Sequence, residues 1–195
     1  MKGSRTISLL LALAAAATAC QLRRPDVVAA RMIEPQLPEP TATDGSTSGP
    51  VAVRILDTQS RSHIGRWVLH QEAGGEFVED LVWRWSSAPD RYLDSSLRLA
   101  APHAGVQLVD VGNAPTMAVT LIAWNLESAG STRLVGAVEL TCIAADRSVR
   151  THVIRGNEPV SSELPGDLAA AAGRLMSSLA AESFKQAVPS LKIGH

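Results

Sequence analysis

"VLHQEAGGEFVEDLVWRWSSAPDRYLDSSLRLA", residues 68 to 100, decides the fold. Two strand-like runs, ending at Gln71 and beginning at Glu76, flank Ala73-Gly74-Gly75, a composition suited to a hairpin turn. The second run ends in Trp83-Arg84-Trp85 and breaks at Ser86-Ser87-Ala88-Pro89. Ser86 or Ser87 can cap a helix there, Pro89 suits its first turn, and Asp90 complements its dipole. Tyr92, Leu93, Leu97 and Ala100 recur at helical spacing until Pro102 and Gly105 stop it. Residues two apart on a strand share a face, so Trp83 and Trp85 point one way and Arg84 the other. Trp85, next to the helix start, is expected to lodge in the core near Leu93 and Leu97. Trp83 has two readings, core or partner contact, and Arg84 joins it in the second.

Outward from this unit, "VAVRILD" alternates Val51, Val53 and Ile55 as a half-buried strand does. "GVQLVDV" reads as another strand. "MAVTLIAWNLES" reads as a longer one, with Val119, Leu121, Ala123 and Asn125 on one face and Thr120, Ile122, Trp124 and Leu126 on the other. "TRLVGAVELTCIAAD" and "SVRTHVIRG" form a second hairpin about Asp146-Arg147. "LPGDLAAAAGRLMSSLAAESFKQAV" is an Ala-rich helix with Leu168, Ala172, Leu175 and Leu179 along one stripe. The pattern predicts an α+β domain, a mainly antiparallel sheet with two amphipathic helices packed on one face.

The N-terminus reads differently. Lys2 and Arg5 precede about eleven mostly apolar residues, the length of a signal-peptide core and short of the ~20 that a spanning helix needs. Ala17-Thr18-Ala19 then fits a plain signal-peptidase site or, read against the following Cys20, a bacterial lipobox with Ala17 where Leu is usual. Cys20 and Cys142 are the two cysteines. Cys142 lies in an apolar strand, where a thiol at the N-terminus has little reason to find it, so lipidation of Cys20 is the expectation. Gln21 follows instead of Asp, which favours the periplasmic face of the outer membrane. The expected organisation is a signal peptide over 1–19, a lipidated N-terminus and flexible tether over 20–50, the domain over 51–188 and a frayed tail over 189–195. Within the tether, "DVVAARMIEP" could pair as a short strand; thirty extended residues would reach ~100 Å.

The formal net charge is −1 with both signs scattered, so no basic block marks a nucleic-acid surface. A search for chemistry yields little. No G-x-S-x-G occurs, and the serines of "DGSTSGP" lie in the tether. His63, His70, His103, His152 and His195 are dispersed without metal-ligand spacing. Glu79 and Asp80 are adjacent in a strand and so face opposite ways. "EAGGEF" carries no phosphate-loop lysine. No catalytic residue, metal site or cofactor is expected.

The hairpin, the strand ending in Arg84-Trp85, the Ser/Pro break and the "YLDSSL" helix together resemble the ABC-type transport auxiliary lipoprotein family. That family includes PqiC-like lipoproteins found alongside MCE-domain lipid transporters. "TLIAWNL" and "DLAAAAGRLMSSLAAES" are similar to its second half, so the resemblance covers roughly Val51 to Ala187. It implies a non-enzymatic periplasmic lipoprotein with a docking or assembly role in an ABC/MCE-type lipid transport system. Its partners would be the membrane, MCE-domain and ABC transporter subunits, and further copies of itself. Two rival readings are a lipopolysaccharide-assembly lipoprotein and a cell-wall synthase regulator.

Overall fold

The computed structural model describes residues 29–38, 49–128, 130–162 and 164–192. In chain order the elements are β1 (Arg31–Ile33), β2 (Val51–Ile55), β3 (Gln59–Ser60), β4 (Trp67–Gln71), β5 (Phe77–Trp85) and α1 (Pro89–Ala100). A short 3-10 turn (Pro102–Ala104) follows, then β6 (Val106–Leu108), β7 (Thr116–Ser128), β8 (Thr132–Ile143), β9 (Val149–Pro159) and α2 (Pro165–Lys192).

β7 organises the sheet. β8 runs antiparallel along one side of it, from Thr116 opposite Ile143 to Ser128 opposite Thr132, and β9 pairs antiparallel beyond β8. The other edge of β7 is shared end to end by three short parallel partners: β2 at Thr116, β3 at Thr120 and β4 at Leu126. β6 extends the sheet parallel to β2, β5 antiparallel to β4, and β1 parallel to β5. The result is an α+β fold whose sheet is mostly, though not purely, antiparallel. α2 packs on β8 and β9, α1 packs on β7 and β3, and the helices touch each other. Gly136 and Gly156 stand opposite each other under α2, and a Cβ on Gly156 would come 2.9 Å from Leu175 Cδ1. Their bare backbone lets the leucines of α2 reach the sheet.

The α2 stripe is buried as its periodicity requires: Leu168, Ala172, Leu175 and Leu179 are at most 6% exposed. So are Leu93 and Leu97 of α1, and Gly105 ends the following turn with φ 67°. The cap of α1 differs from expectation. Ala88 is the N-cap, extended at φ −65° and ψ 141°, with no side-chain cap bond. Pro89 demands an extended residue before it, so the helix cannot begin at either serine.

Four further differences from the sequence reading follow. In β7, Leu121 pairs with Val138 and Ala123 with Ala137, leaving Ile122 as a bulge. The extra residue flips the alternation, so Val119 and Leu121 are buried and then Trp124 and Leu126. Asn125 is also buried, and its amide donates to Gln71 Oε1 at 3.2 Å.

The region assigned to the tether contains β1, the strand reading of "DVVAARMIEP". Ile33 is 2% exposed, and the Gln36 amide donates to the Ala169 carbonyl of α2 at 3.1 Å. The folded unit thus takes in residues 29–38, which bury more apolar surface docked than free. β6 is shorter than "GVQLVDV", and Val111 is 83% exposed. Finally, α2 continues past Pro189 to Lys192 instead of fraying. Ser190 and Leu191 are each 5% exposed, and their burial offsets the hydrogen bond that a helical proline forfeits. Residues 1–28, with Cys20, 39–48, 129, 163 and the end of the expected tail, 193–195, lie outside the described residues.

Candidate interaction surface

The corner where β5 turns into α1 is densely hydrogen-bonded. The Trp85 amide donates to the Arg66 carbonyl at 2.6 Å. In return the Arg66 guanidinium donates to the carbonyls of Trp85 at 3.2 Å and Ser86 at 2.7 Å. Tyr92 reaches back from the first turn of α1: its hydroxyl accepts from the Ser87 amide at 2.8 Å and donates to Glu34 at 3.1 Å. It also pairs with the Ser86 hydroxyl. These bonds tie the residues after β1 to the helix start.

Trp85 is 1% exposed and lies 5.7 Å from Trp124, ring centre to ring centre, tilted by 57°. Both indole Nε1–H groups are buried without a partner among the described residues. The pair therefore serves packing at some polar cost. Trp83, two residues earlier, is half-buried against the same core, with the Arg31 guanidinium 5.6 Å from its ring. Arg84 points the other way, its guanidinium 3.3 Å from the ring centre of Trp67, its cross-strand partner. Tryptophan and arginine with partial exposure are the residue types that anchor protein interfaces.

β5 departs from a regular strand just before this pair. Leu69 is opposite Glu79 but Trp67 is opposite Arg84, so β5 carries extra residues between them. Asp80 holds that bulge: its Oδ1 accepts from the amides of Val82 at 2.7 Å and Trp83 at 2.9 Å. Its other oxygen is 3.0 Å from His70 Nε2. Partial burial pushes the Asp80 carboxyl up, but the Trp83 and Val82 amides and His70 outweigh it and hold the carboxyl below its ordinary value. The bulge turns Leu81 outward to 81% exposure, beside Phe77 at 48% and Val78 at 45%. His63 stacks on Phe77 at 5.7 Å. Sequence reading missed this patch. Asp80 within a strand, two residues before Val82, was its available signal.

Elsewhere, a groove of about 350 Å³ between β9 and α2 is lined by His152, Arg155, Glu182 and Gln186. His152 Nε2 lies 3.1 Å from Ser190 Oγ, which donates its one proton to the Gln186 carbonyl. With that proton spent on Gln186, the serine accepts from the histidine, and the pair fastens α2 to β9. Among the described residues, no group of three or more His, Cys, Asp or Glu side chains could hold a metal ion. No described helix is long and apolar enough to cross a membrane.

No family model and no curated protein matches the sequence. Among solved structures, protein XCC0632 from Xanthomonas campestris, of the family DUF330, overlays with a TM-score of 0.65 at 15% identity. That overlap covers 78% of this chain and 91% of the other. An uncharacterized protein overlays with a TM-score of 0.57 at 14% identity, over 82% and 97% of the two chains. A minor lipoprotein from Acinetobacter baumannii reaches a TM-score of 0.40 at 11% identity, over 69% and 90%. At these identities the first two likenesses establish a shared fold; the third is too low to carry an argument.

Proposed function

We propose that the protein is a non-enzymatic lipoprotein, anchored through Cys20 on the periplasmic face of the outer membrane. It serves there as a docking or assembly component of an ABC/MCE-type lipid transport system. The observation that carries this reading is the fold shared with a DUF330 protein over nearly that chain's whole length. It agrees with the sequence resemblance to PqiC-like lipoproteins and with the small residues directly before Cys20. The half-buried Trp83 and the Arg84–Trp67 stack supply groups suited to gripping an MCE-domain or transporter subunit.

Intact mass of protein extracted from membranes should show acyl groups on Cys20, and Cys20→Ser should release the chain from the membrane fraction. Pull-down from the native envelope should recover an MCE-domain subunit, and Trp83→Ala should weaken that recovery. An unacylated wild type that still partitions with membranes would overturn the anchor. Acylated protein that never co-purifies with such a subunit, even after cross-linking, would overturn the transport role.

A further inference from the structure

β1 brings the N-terminal chain into the domain at a defined place. It runs parallel to β5 with Arg31 opposite Trp83 and Ile33 opposite Trp85. β1 therefore starts on the side of β5 nearer Leu81 and the β4–β5 turn. Eleven residue steps separate Cys20 from Arg31. Even fully extended they span about 36–40 Å, not the ~100 Å that a thirty-residue tether would allow. A domain of this length is itself about 40 Å across. A lipid on Cys20 thus holds the start of β1 within about one domain width of the bilayer.

The β1–β5 side carries exposed apolar groups. Phe77, Val78 and Leu81 stand out near the β4–β5 turn, with Met32 at 55% exposure on β1. Leu81 is directed outward by the Asp80-braced bulge. Exposed Glu72, Glu76 and Glu79 border the apolar trio, so an uncharged or zwitterionic surface fits it better than an anionic one.

We propose that Phe77 and Leu81 form a face that lies against a zwitterionic lipid surface, the bilayer that holds Cys20. This rests on the lipoprotein reading above. The domain then presents its opposite end, the β8–β9 turn, away from the membrane. β7 spans the distance between the two ends, thirteen residues or about 40 Å.

Acylated full-length protein is reconstituted in phosphatidylcholine vesicles that carry a headgroup-quencher lipid. A fluorophore is attached at Leu81→Cys, at Glu79→Cys or at Ala145→Cys in the β8–β9 turn, all three sites being exposed. Cys142 is 1% exposed and does not compete for label. Quenching at positions 81 and 79 should exceed that at 145 several-fold, and phosphatidylglycerol in place of phosphatidylcholine should reduce it. Equal quenching at the two ends of an acylated preparation, or stronger quenching at 145, overturns this face alone. Undiminished quenching on anionic vesicles overturns its zwitterionic preference. A mass without acyl groups overturns the lipoprotein reading and this face with it.

Discussion

Gly173 tests whether residues 34–38 truly dock on α2. A Cβ at this position would stand 1.7 Å from the Gln36 carbonyl oxygen and 2.4 Å from its carbon. Carbon atoms in contact sit about 3.5–4.0 Å apart, so Gly173→Ala must push the backbone of the crossing segment well away. The substitution has a favourable side, because Ala in a helix interior is better than Gly by about 0.8–1.0 kcal/mol. Against that, displacing the segment exposes Ile33, whose burial is worth about 1.5–3 kcal/mol. It also breaks the Gln36–Ala169 hydrogen bond, worth about 1 kcal/mol net. The balance is a loss of about 1.5–3 kcal/mol, or a fall in Tm of about 3–12 °C for a chain of this size. Urea or thermal unfolding reads the sum, and hydrogen exchange reads its origin. The Gln36 amide and the Ser86 amide, which donates to the Ile33 carbonyl, should both lose protection. A variant that gains about 1 kcal/mol with both amides still protected would refute the docked geometry. The result bears on function, since freeing this segment would lengthen the tether and release the domain from its bilayer-facing posture.

Other substitutions separate core from surface. Trp85→Ala should cost about 3–5 kcal/mol, whereas Trp83→Ala should leave melting much closer to wild type; equal small losses would remove Trp85 from its structural role. Asp80 is held below its ordinary value, so its contribution is complete above the unfolded carboxyl pKa of about 3.9 and fades as pH falls through the lower folded value. Asp80→Asn should flatten the acid limb of the stability profile below about pH 4, and an unchanged limb would show that the bulge does not depend on the carboxylate. Burial pushes the Cys142 thiol up to about 11, so a maleimide reagent at neutral pH should modify it after unfolding and not before.

Much of the architecture was legible in the sequence because its cause is local. Gly74 and Gly75 make a turn wherever apolar strands flank them, and the leucines of α2 form a stripe whatever they pack against. Trp85 could be placed in the core because its strand ends where a helix begins. The candidate surface was legible only in part. Trp83 and Arg84 stood out as residue types, but Leu81 and Phe77 became a patch only when Asp80 folded back on the Val82 and Trp83 amides.

Tertiary structure decided what depends on a partner distant in sequence. Ile122 bulges because β7 must register with β8 on both sides of it, and that shift, not the alternation of β7, buries Trp124 against Trp85. The parallel seats of β2, β3 and β4 along one edge of β7 leave no periodic trace, since each contributes only a few residues. Gly173 in a run of alanines reads as a weak spot in a helix until the Gln36 carbonyl is seen lying where its side chain would be. That contact, made between residues 137 positions apart, turns part of an expected spacer into folded domain and shortens the path from Cys20.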